Sequence, residues 1–259
     1  MRGYCPAAMT EDPKTASFGY REVPEHEKAT LVRSVFSSVA RKYDVMNDLM
    51  SGGVHRLWKD AFVEWLNPRP GMSVLDVAGG TGDIAMRIAE RASCFGGPPR
   101  IAVCDINADM VREGRQRLAD AHPDISWLVG DAEALPVADG VMDAYTIAFG
   151  IRNVTHIERA LAEARRVLKP GGRFLCLEFS QVQMPGLDTL YELYSFSVLP
   201  KLGHWVTQDA DSYRYLAESI RKFPAQDRFA RMIADAGLRQ VKVRNLMGGI
   251  AAMHSAWRI

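Results

Sequence analysis

Residues 73–85 read SVLDVAGGTGDIA and decide the fold of this chain. The run Ser73–Val77 predicts a short buried β-strand, because aliphatic and β-branched residues dominate it and glycines follow at once. Residues 80–85, GTGDIA, match the pattern G-x-G-x-x-[GA] and lead into a helix with apolar residues at Ile84 and Ile88. A glycine loop between a strand and a helix is typical of Rossmann-like nucleotide sites. The segment therefore predicts an α/β domain with a nucleotide site.

The same alternation continues on the carboxyl side of the glycine loop. Apolar runs predict further strands at residues 101–105, 126–130, 143–149 and 173–179. Helical periodicity predicts helices at residues 110–121 and 157–168 and near 188–199, 213–223 and 226–236. Because strands alternate with helices, we predict a parallel, doubly wound sheet. Two last strands, at 240–246 and about 250–258, share the turn Gly248-Gly249 and predict an antiparallel edge on that sheet.

The first 70 residues carry a different pattern. Residues 1–24 show no periodicity and predict a flexible amino-terminal tail. Helical spacing of apolar residues predicts one helix from Glu25 onward and a second from Val54 to Trp65. We therefore divide the chain into the tail, amino-terminal helices over residues 25–70, and an α/β core over residues 71–259.

The composition excludes several classes of protein. Of the 259 residues, 47% are hydrophobic and 24% are charged, which is typical of globular proteins and excludes a disordered or fibrous chain. A net charge of +1 without a basic run argues against binding to nucleic acid. No stretch approaches the roughly 18 apolar residues of a membrane helix. Because the amino terminus has neither an apolar signal core nor the features of a transit peptide, we expect a cytoplasmic, bacterial protein, with Met1 or Met9 as its start.

The metal-binding residue types are not arranged as ligand sets. The four cysteines, Cys5, Cys94, Cys104 and Cys176, form no C-x-x-C pair, and two of them lie in apolar runs that predict core positions. Histidines and acids also lack the spacing of a metal site. We therefore expect a reducing compartment and no metal.

The charges around the glycine loop distinguish between two nucleotides. Asp76 stands just before the loop and Asp83 just after it. Two carboxylates repel the pyrophosphate of a dinucleotide, whereas they attract the ammonium and sulfonium groups of S-adenosylmethionine. The sequence therefore favours S-adenosylmethionine over NAD. The alternative that Asp83 simply caps the helix that it begins stays open.

Two further acids follow predicted strands at the same edge of the sheet. Asp105 lies 23 residues beyond Gly82, where an acid accepts hydrogen bonds from ribose hydroxyls. Asp131 and Ala132 follow the third strand. Their carboxylate and amide suit the amino group and a ring nitrogen of adenine. An ordinary turn explains these two residues equally well, so the sequence leaves both interpretations open.

Two longer segments carry a family resemblance. The first is YDVMNDLMS at residues 43–51, continuing to HRLW at 55–58, and the second is RVLKPGG at 166–172, continuing to LEFS at 177–180. Between them lie VLDVAGGTGD, CDIN, GDAEALP and FGIRNVT. In order and spacing these motifs resemble the ubiquinone/menaquinone biosynthesis C-methyltransferases of the UbiE type. The resemblance extends from about residue 28 to residue 259.

This resemblance implies a fold and a methyl donor. The fold is that of the class I S-adenosylmethionine-dependent methyltransferases, a Rossmann-like, mostly parallel seven-stranded sheet with an antiparallel final strand and an amino-terminal helical cap. S-adenosylmethionine is the expected donor. The expected donor-binding residues are Gly80, Thr81, Gly82, Asp105, Asp131 and Ala132. One position departs from the family, because Ala148 stands where some relatives have a serine, so no hydroxyl is available there.

The implied reaction is methylation of a ring carbon in a polyprenylated benzoquinol or demethylmenaquinol. An ionised ring hydroxyl directs electron density to the neighbouring carbon, but a phenol with a pKa near 10 requires roughly 4 kcal/mol to ionise at neutral pH. We predict that Arg152, at the end of the fourth strand, stabilises the phenolate or orients a water, and that Tyr43 closes over the acceptor. The lone His254 lies in an apolar strand, where a core role is the simpler interpretation.

The acceptor and its tail suggest the expected partners. Residues 187–206 and the first two helices offer apolar lining for a prenyl tail, and the same surface predicts peripheral contact with the inner face of the cytoplasmic membrane. A quinone-biosynthesis complex and a homodimer are further assemblies that the sequence leaves open. Two other functions also stay open at this point, a nicotinamide oxidoreductase on the same loop and a donor-binding subunit without catalytic activity.

Overall fold

A computed structural model describes residues 15–39, 53–183 and 210–259 of the chain. The strands are β1 (Thr15–Phe18), β2 (Arg21–Pro24), β3 (Ser73–Val77), β4 (Arg100–Asp105), β5 (Ser126–Val129), β6 (Met142–Ala148), β7 (Leu168–Phe179), β8 (Arg239–Leu246) and β9 (Ala251–Trp257). The helices are α1 (Glu25–Val39), α2 (His55–Leu66), α3 (Asp83–Ser93), α4 (Ala108–Leu118), α5 (Ile157–Val167), α6 (Ala210–Lys222) and α7 (Gln226–Asp235). Two single 3₁₀ turns lie at Ile151–Asn153 and Met247–Gly249.

The central sheet has seven strands in the order β5-β4-β3-β6-β7-β9-β8. Strands β3 to β7 pair in parallel, whereas β9 is antiparallel to both of its neighbours, β7 and β8. The doubly wound α/β sheet with an antiparallel final strand is therefore confirmed. The last two strands form an antiparallel edge of the sheet, as the sequence pattern predicted, and β9 lies between β7 and β8.

The side chains of the last two strands explain this order. The sequence of β9, AAMHSAW, is buried except at Trp257, so it suits a strand with a neighbour on each side. The sequence of β8, RQVKVRNL, is mostly exposed and carries three cationic side chains. Charged side chains protect an edge strand from pairing with another chain, so β8 takes the edge.

A small hairpin precedes the first helix, within the segment that the sequence predicted as a tail. Strands β1 and β2 pair antiparallel around Gly19, whose φ of 60° is the left-handed conformation that glycine adopts readily. The ring of Phe18 stacks on Tyr215 at a centroid distance of 4.3 Å. The backbone N–H of Tyr20 donates to Glu218 Oε2 at 3.0 Å. Because these contacts join residues almost 200 positions apart, local sequence patterns do not reveal the hairpin.

Apolar side chains cover both faces of the sheet. On one face, α2 and α3 contribute Phe62 and Ile88 to a core that includes Leu175. On the other face, Phe229 of α7 packs in a core with Tyr145 and other residues of β6 and β7. This arrangement leaves the carboxyl ends of β3, β4, β5 and β6 at one edge, where open α/β sheets bind ligands. Among the described residues, none of the helices is long and apolar enough to cross a membrane.

Candidate active site

The glycine loop turns sharply between β3 and α3. Gly80 and Gly82 have φ values of 55° and 82°, which residues other than glycine rarely adopt. A Cβ atom on Gly79 would lie 2.7 Å from Asp76 Oδ2, and one on Gly82 would lie 2.6 Å from the indole ring of Trp127. The loop therefore requires glycine for close packing as well as for backbone conformation, and it exposes its backbone to the cavity beside it.

Asp76 is a buried carboxylate with one free oxygen. The hydroxyl of Thr146 donates to its Oδ1 at 2.8 Å, whereas its Oδ2 is buried and has no hydrogen-bond partner within the described part of the chain. Burial raises the pKa of Asp76 from 3.8 to about 7, although the Thr146 hydrogen bond and the charge of Lys59 oppose the rise. A buried acceptor without a donor is unfavourable. The free oxygen therefore suits a cationic donor supplied by a ligand.

Asp83 belongs to a cluster of charges rather than standing alone. Its carboxylate lies 2.7 Å from Lys59 Nζ and 3.2 Å from Arg87 Nε. Burial acts to raise the pKa of Asp83, but the charges and hydrogen bonds of Lys59 and Arg87 outweigh it and lower the pKa. The N-cap of α3 is Gly82, and Asp83 takes the first helical position. The charge argument for a cationic ligand consequently depends on Asp76, because two cations already neutralise Asp83.

Asp105, at the end of β4, is hydrogen-bonded to the glycine loop. Its Oδ2 accepts a hydrogen bond from the backbone N–H of Gly80 at 2.8 Å, and its Oδ1 accepts one from the N–H of Asn107, also at 2.8 Å. Burial raises the pKa of Asp105, and these two backbone hydrogen bonds oppose the rise. Each carboxylate oxygen can accept further hydrogen bonds, so both can still bind hydroxyl groups.

Asp131 and Ala132 form a turn and line the cavity at the same time. Asp131 Oδ1 accepts a hydrogen bond from the N–H of Glu133 at 2.9 Å, and its carbonyl oxygen accepts one from Ala134 at 3.1 Å. Such a turn is what the sequence segment GDAEALP suggested. Both residues nevertheless lie in the cavity wall. The turn and the ligand-binding interpretations are thus compatible, because the second oxygen of Asp131 is not used by the turn.

A cavity of about 130 Å³ brings these residues together. Five of the six predicted donor-binding residues line it: Gly80, Thr81, Asp105, Asp131 and Ala132. Gly82 does not line it and instead packs against Trp127 at the start of α3. Sequence analysis missed the contributions of Lys59 and Asn153 to the wall. Asn153 lies in the FGIRN segment that drew attention to its neighbour, whereas nothing local to Lys59 distinguishes it from a surface lysine.

The guanidinium of Arg152 lies in a buried ion pair. Its Nη1 donates to Glu178 Oε1 and to the carbonyl oxygen of Phe149, each at 2.6 Å. Burial raises the pKa of Glu178, and the charge of Arg152 opposes that rise. Arg152 lines not the first cavity but a second one of about 250 Å³. Val154 and Thr155 line both cavities, so the two cavities adjoin just after the turn that follows β6.

The family comparisons bear on this geometry. The ubiE/COQ5 methyltransferase family matches residues 20–258. The chain belongs to this family. A relative from Paracoccus denitrificans, named ubiquinone/menaquinone biosynthesis C-methyltransferase UbiE, is 58% identical over 254 residues, which cover 97% of this chain and 100% of the relative. A relative of the same name from Bradyrhizobium diazoefficiens is 56% identical over 257 residues, with coverages of 97% and 100%.

Solved structures agree on the fold of this family member. A SAM-dependent methyltransferase of Thermotoga maritima superposes with a TM-score of 0.59 at 19% identity, covering 87% of this chain and 100% of that one. Another from Aquifex aeolicus gives a TM-score of 0.59 at 17% identity, with coverages of 86% and 98%. The predicted methyltransferase fold and family are therefore confirmed. Family membership decides against the nicotinamide oxidoreductase that the glycine loop alone left open.

The remaining predicted residues fall into two groups. Tyr43 and residues 187–206 lie outside the described residues. His254 is buried, with Nε2 at 3.2 Å from the carbonyl oxygen of Gln226 and its ring against Phe229. Burial lowers the pKa of His254 to about 4, so it is a neutral core residue at neutral pH. Among the described residues, no group of three or more histidines, cysteines and acids is arranged to hold a metal.

Proposed function

We propose that this methyltransferase transfers a methyl group from S-adenosylmethionine to a ring carbon of a polyprenylated benzoquinol, a demethylmenaquinol or both. The observation that carries the proposal is the acid-lined glycine-loop cavity in a chain of this family. The relatives that match over their whole length are named for this step in ubiquinone and menaquinone biosynthesis.

The cavity residues fit the chemistry of the donor. Asp131 and Ala132 would hold the adenine, and the oxygens of Asp105 would accept the ribose hydroxyls. The free Oδ2 of Asp76 would accept the α-ammonium group, which explains a buried acceptor that otherwise has no partner. Backbone at Gly80 and Thr81 completes the wall. When bound, the donor supplies a methyl group on a sulfonium, and alignment of that methyl with the ring carbon supplies much of the rate.

Arg152 and Tyr43 remain our candidates for acting on the acceptor. Arginine does not lose its proton at physiological pH, so Arg152 acts by stabilising the phenolate or by orienting a water. Glu178 and the carbonyl of Phe149 fix the guanidinium at the turn after β6, next to residues that line both cavities. The acceptor hydroxyl then lies on the side of the second cavity, and Tyr43 closes over the ring.

The partners follow from the acceptor. A polyprenyl tail is apolar, so it is delivered from a membrane, and we propose peripheral contact with the inner face of the cytoplasmic membrane. A homodimer and a complex with other quinone-biosynthesis enzymes belong to the same proposal. Co-sedimentation with phospholipid vesicles tests the membrane contact. The mass of the protein in solution tests the homodimer and the complex.

Methyl transfer itself tests the proposal most directly. Purified protein is incubated with methyl-labelled S-adenosylmethionine and short-tailed demethylated benzoquinol or naphthoquinol, each reduced and oxidised. We expect a gain of one methyl on ring carbon with the reduced acceptors alone, because only the quinol offers an ionisable hydroxyl. Mass spectrometry identifies the product and compares the two rings.

Two variants separate chemistry from folding in this assay. Arg152→Lys keeps a cation but loses the planar guanidinium group. We expect turnover to fall while binding of S-adenosylhomocysteine persists. Turnover equal to that of the wild type would remove Arg152 from the mechanism. Binding of the donor product without transfer to either quinol would disprove the acceptor assignment and leave the donor site intact.

A further inference from the structure

Lys59 is a buried cation in the wall of the glycine-loop cavity that the steps above do not use. It lies on α2, which precedes β3 in the chain, and its side chain is 5% exposed. Asp83 Oδ2 lies 2.7 Å from its Nζ and engages one of the three N–H groups of the ammonium. A buried ammonium is unfavourable unless its charge and its N–H groups are satisfied. Its position in the cavity wall therefore points to a second anion supplied by a ligand.

Asp83 has a second cationic partner besides Lys59. Arg87, one turn further along α3, also contacts the carboxylate, and it does not line the cavity. Arg87 also contacts Asp60, whose side chain is 59% exposed, so the cluster contains two cations and two acids. Of these two cations, only Lys59 lies in the cavity wall.

The other charges of the cavity identify what this cation meets. Among the described residues, the only lysine and arginine side chains that line the cavity are Arg33 and Lys59, and Arg33 is exposed. The acidic lining residues are Asp76, Asp83, Asp105, Asp131 and Glu133. Lys59 and Asp76 both line this cavity. An acid with a free oxygen and a cation with unused N–H groups in one cavity suit the amino-acid end of a ligand, with its ammonium and its carboxylate.

We propose that Lys59 binds the α-carboxylate of the methyl donor while Asp76 binds the α-ammonium. This inference rests on the proposed use of S-adenosylmethionine. It gives α2 a role that the sequence did not suggest, since the amino-terminal helices then complete the donor site as well as covering the acceptor. It also explains why a lysine stands on the buried face of a helix that otherwise packs with apolar residues such as Phe62.

A comparison of two ligands tests the contact. Calorimetry measures the affinities of S-adenosylhomocysteine and of 5′-deoxy-5′-(3-aminopropylthio)adenosine, which keeps the ammonium but lacks the carboxylate. A charge-assisted contact predicts that the wild type prefers S-adenosylhomocysteine by about 10- to 100-fold. In the double variant Lys59→Met/Asp83→Asn, which leaves no buried charge unpaired, we expect this preference to fall below about threefold. The affinity for the analogue should change little.

Arg87→Gln is the matched control, because it also removes a cation from Asp83 but lies outside the cavity wall. We expect it to keep the preference for the carboxylate. Retention of the full preference in the double variant, equal losses for both ligands, or collapse of the preference in Arg33→Gln instead would each overturn the assignment to Lys59. Absence of binding of both ligands to the wild type would contradict the proposed donor itself, which is a different failure.

Discussion

Replacing Asp76 by asparagine should make the protein more stable and unable to bind its donor. Burial raises the pKa of Asp76 from 3.8 to about 7, so the ionised carboxylate destabilises the folded chain at neutral pH. At about 1.4 kcal/mol for each pH unit, the destabilisation reaches roughly 4 kcal/mol above pH 7. Asparagine keeps an oxygen to accept the hydrogen bond of Thr146 and carries no charge. The variant should therefore unfold with a free energy up to roughly 4 kcal/mol higher.

The pH dependence of this gain follows from the sign of the pKa change. Because the folded-state pKa of Asp76 is raised, its contribution to stability is complete below about pH 4 and is lost as the pH rises to about 7. The gain from Asp76→Asn should thus grow between those two pH values and stay constant above them. Urea denaturation at a series of pH values measures the difference in the free energy of unfolding.

A matched substitution on the other side of the glycine loop should have the opposite effect. Asp83→Asn removes a carboxylate whose pKa Lys59 and Arg87 hold below its ordinary value, so it should destabilise the protein at neutral pH. Calorimetry should show loss of S-adenosylhomocysteine binding in Asp76→Asn, because an amide in place of the free oxygen offers no charge to the ammonium. An unchanged stability difference across the pH series, or wild-type affinity for S-adenosylhomocysteine, would refute the reasoning.

Three further predictions concern neighbouring parts of the chain. Gly79→Ala should abolish binding of S-adenosylhomocysteine and lower the free energy of unfolding by roughly 1–3 kcal/mol, because its Cβ would lie 2.8 Å from a methyl group of β4. The control is Gly97→Ala, whose Cβ meets nothing closer than 3.8 Å. It should be nearly neutral in both measurements. Arg152→Met should destabilise the fold by roughly 3–5 kcal/mol by leaving Glu178 as an unpaired buried charge, and adding Glu178→Gln should restore most of that loss in urea denaturation. An equal loss in single and double variants would contradict this explanation. Burial lowers the pKa of His254 from 6.5 to about 4, so the protein loses stability as the pH falls through that range. His254→Gln should remove this loss of roughly 3 kcal/mol. The free energy of unfolding of the variant should then change less between pH 6.5 and pH 4 than that of the wild type.

Much of the donor site was predictable because it depends on local patterns repeated at one edge of a sheet. The strand at residues 73–77 and the glycine loop after it are set by the apolar run and by φ values that glycine adopts. Once the sheet is parallel, Asp105 and Asp131 must lie near that loop, since each follows a strand that ends at the same edge. Periodicity and strand-end acids therefore suffice to predict the fold class and to place Asp105 and Asp131 at this edge. The family resemblance implied the full set of donor-binding residues, five of which line the cavity.

Other features required the tertiary structure. The insertion of β9 between β7 and β8 depends on which strand buries both faces, and the hairpin before α1 depends on contacts with α6. Sequence pattern also gave Asp83 a free negative charge, but Lys59 on α2 and Arg87 neutralise it. The pairing of Arg152 with Glu178 joins residues 26 positions apart across two strands.

Local sequence sets the alternation of strands and helices from β3 onward, the position of the glycine loop and the acids at its edge, because backbone preference and hydrophobic periodicity act within a few residues. The tertiary structure alone decided which carboxylate keeps a free oxygen, which cation lies in the cavity wall and which strand forms the edge. Those outcomes depend on burial and on charges brought together from distant parts of the chain. Electrostatic energy follows distance and solvent exposure in space, and neither is written in the local sequence.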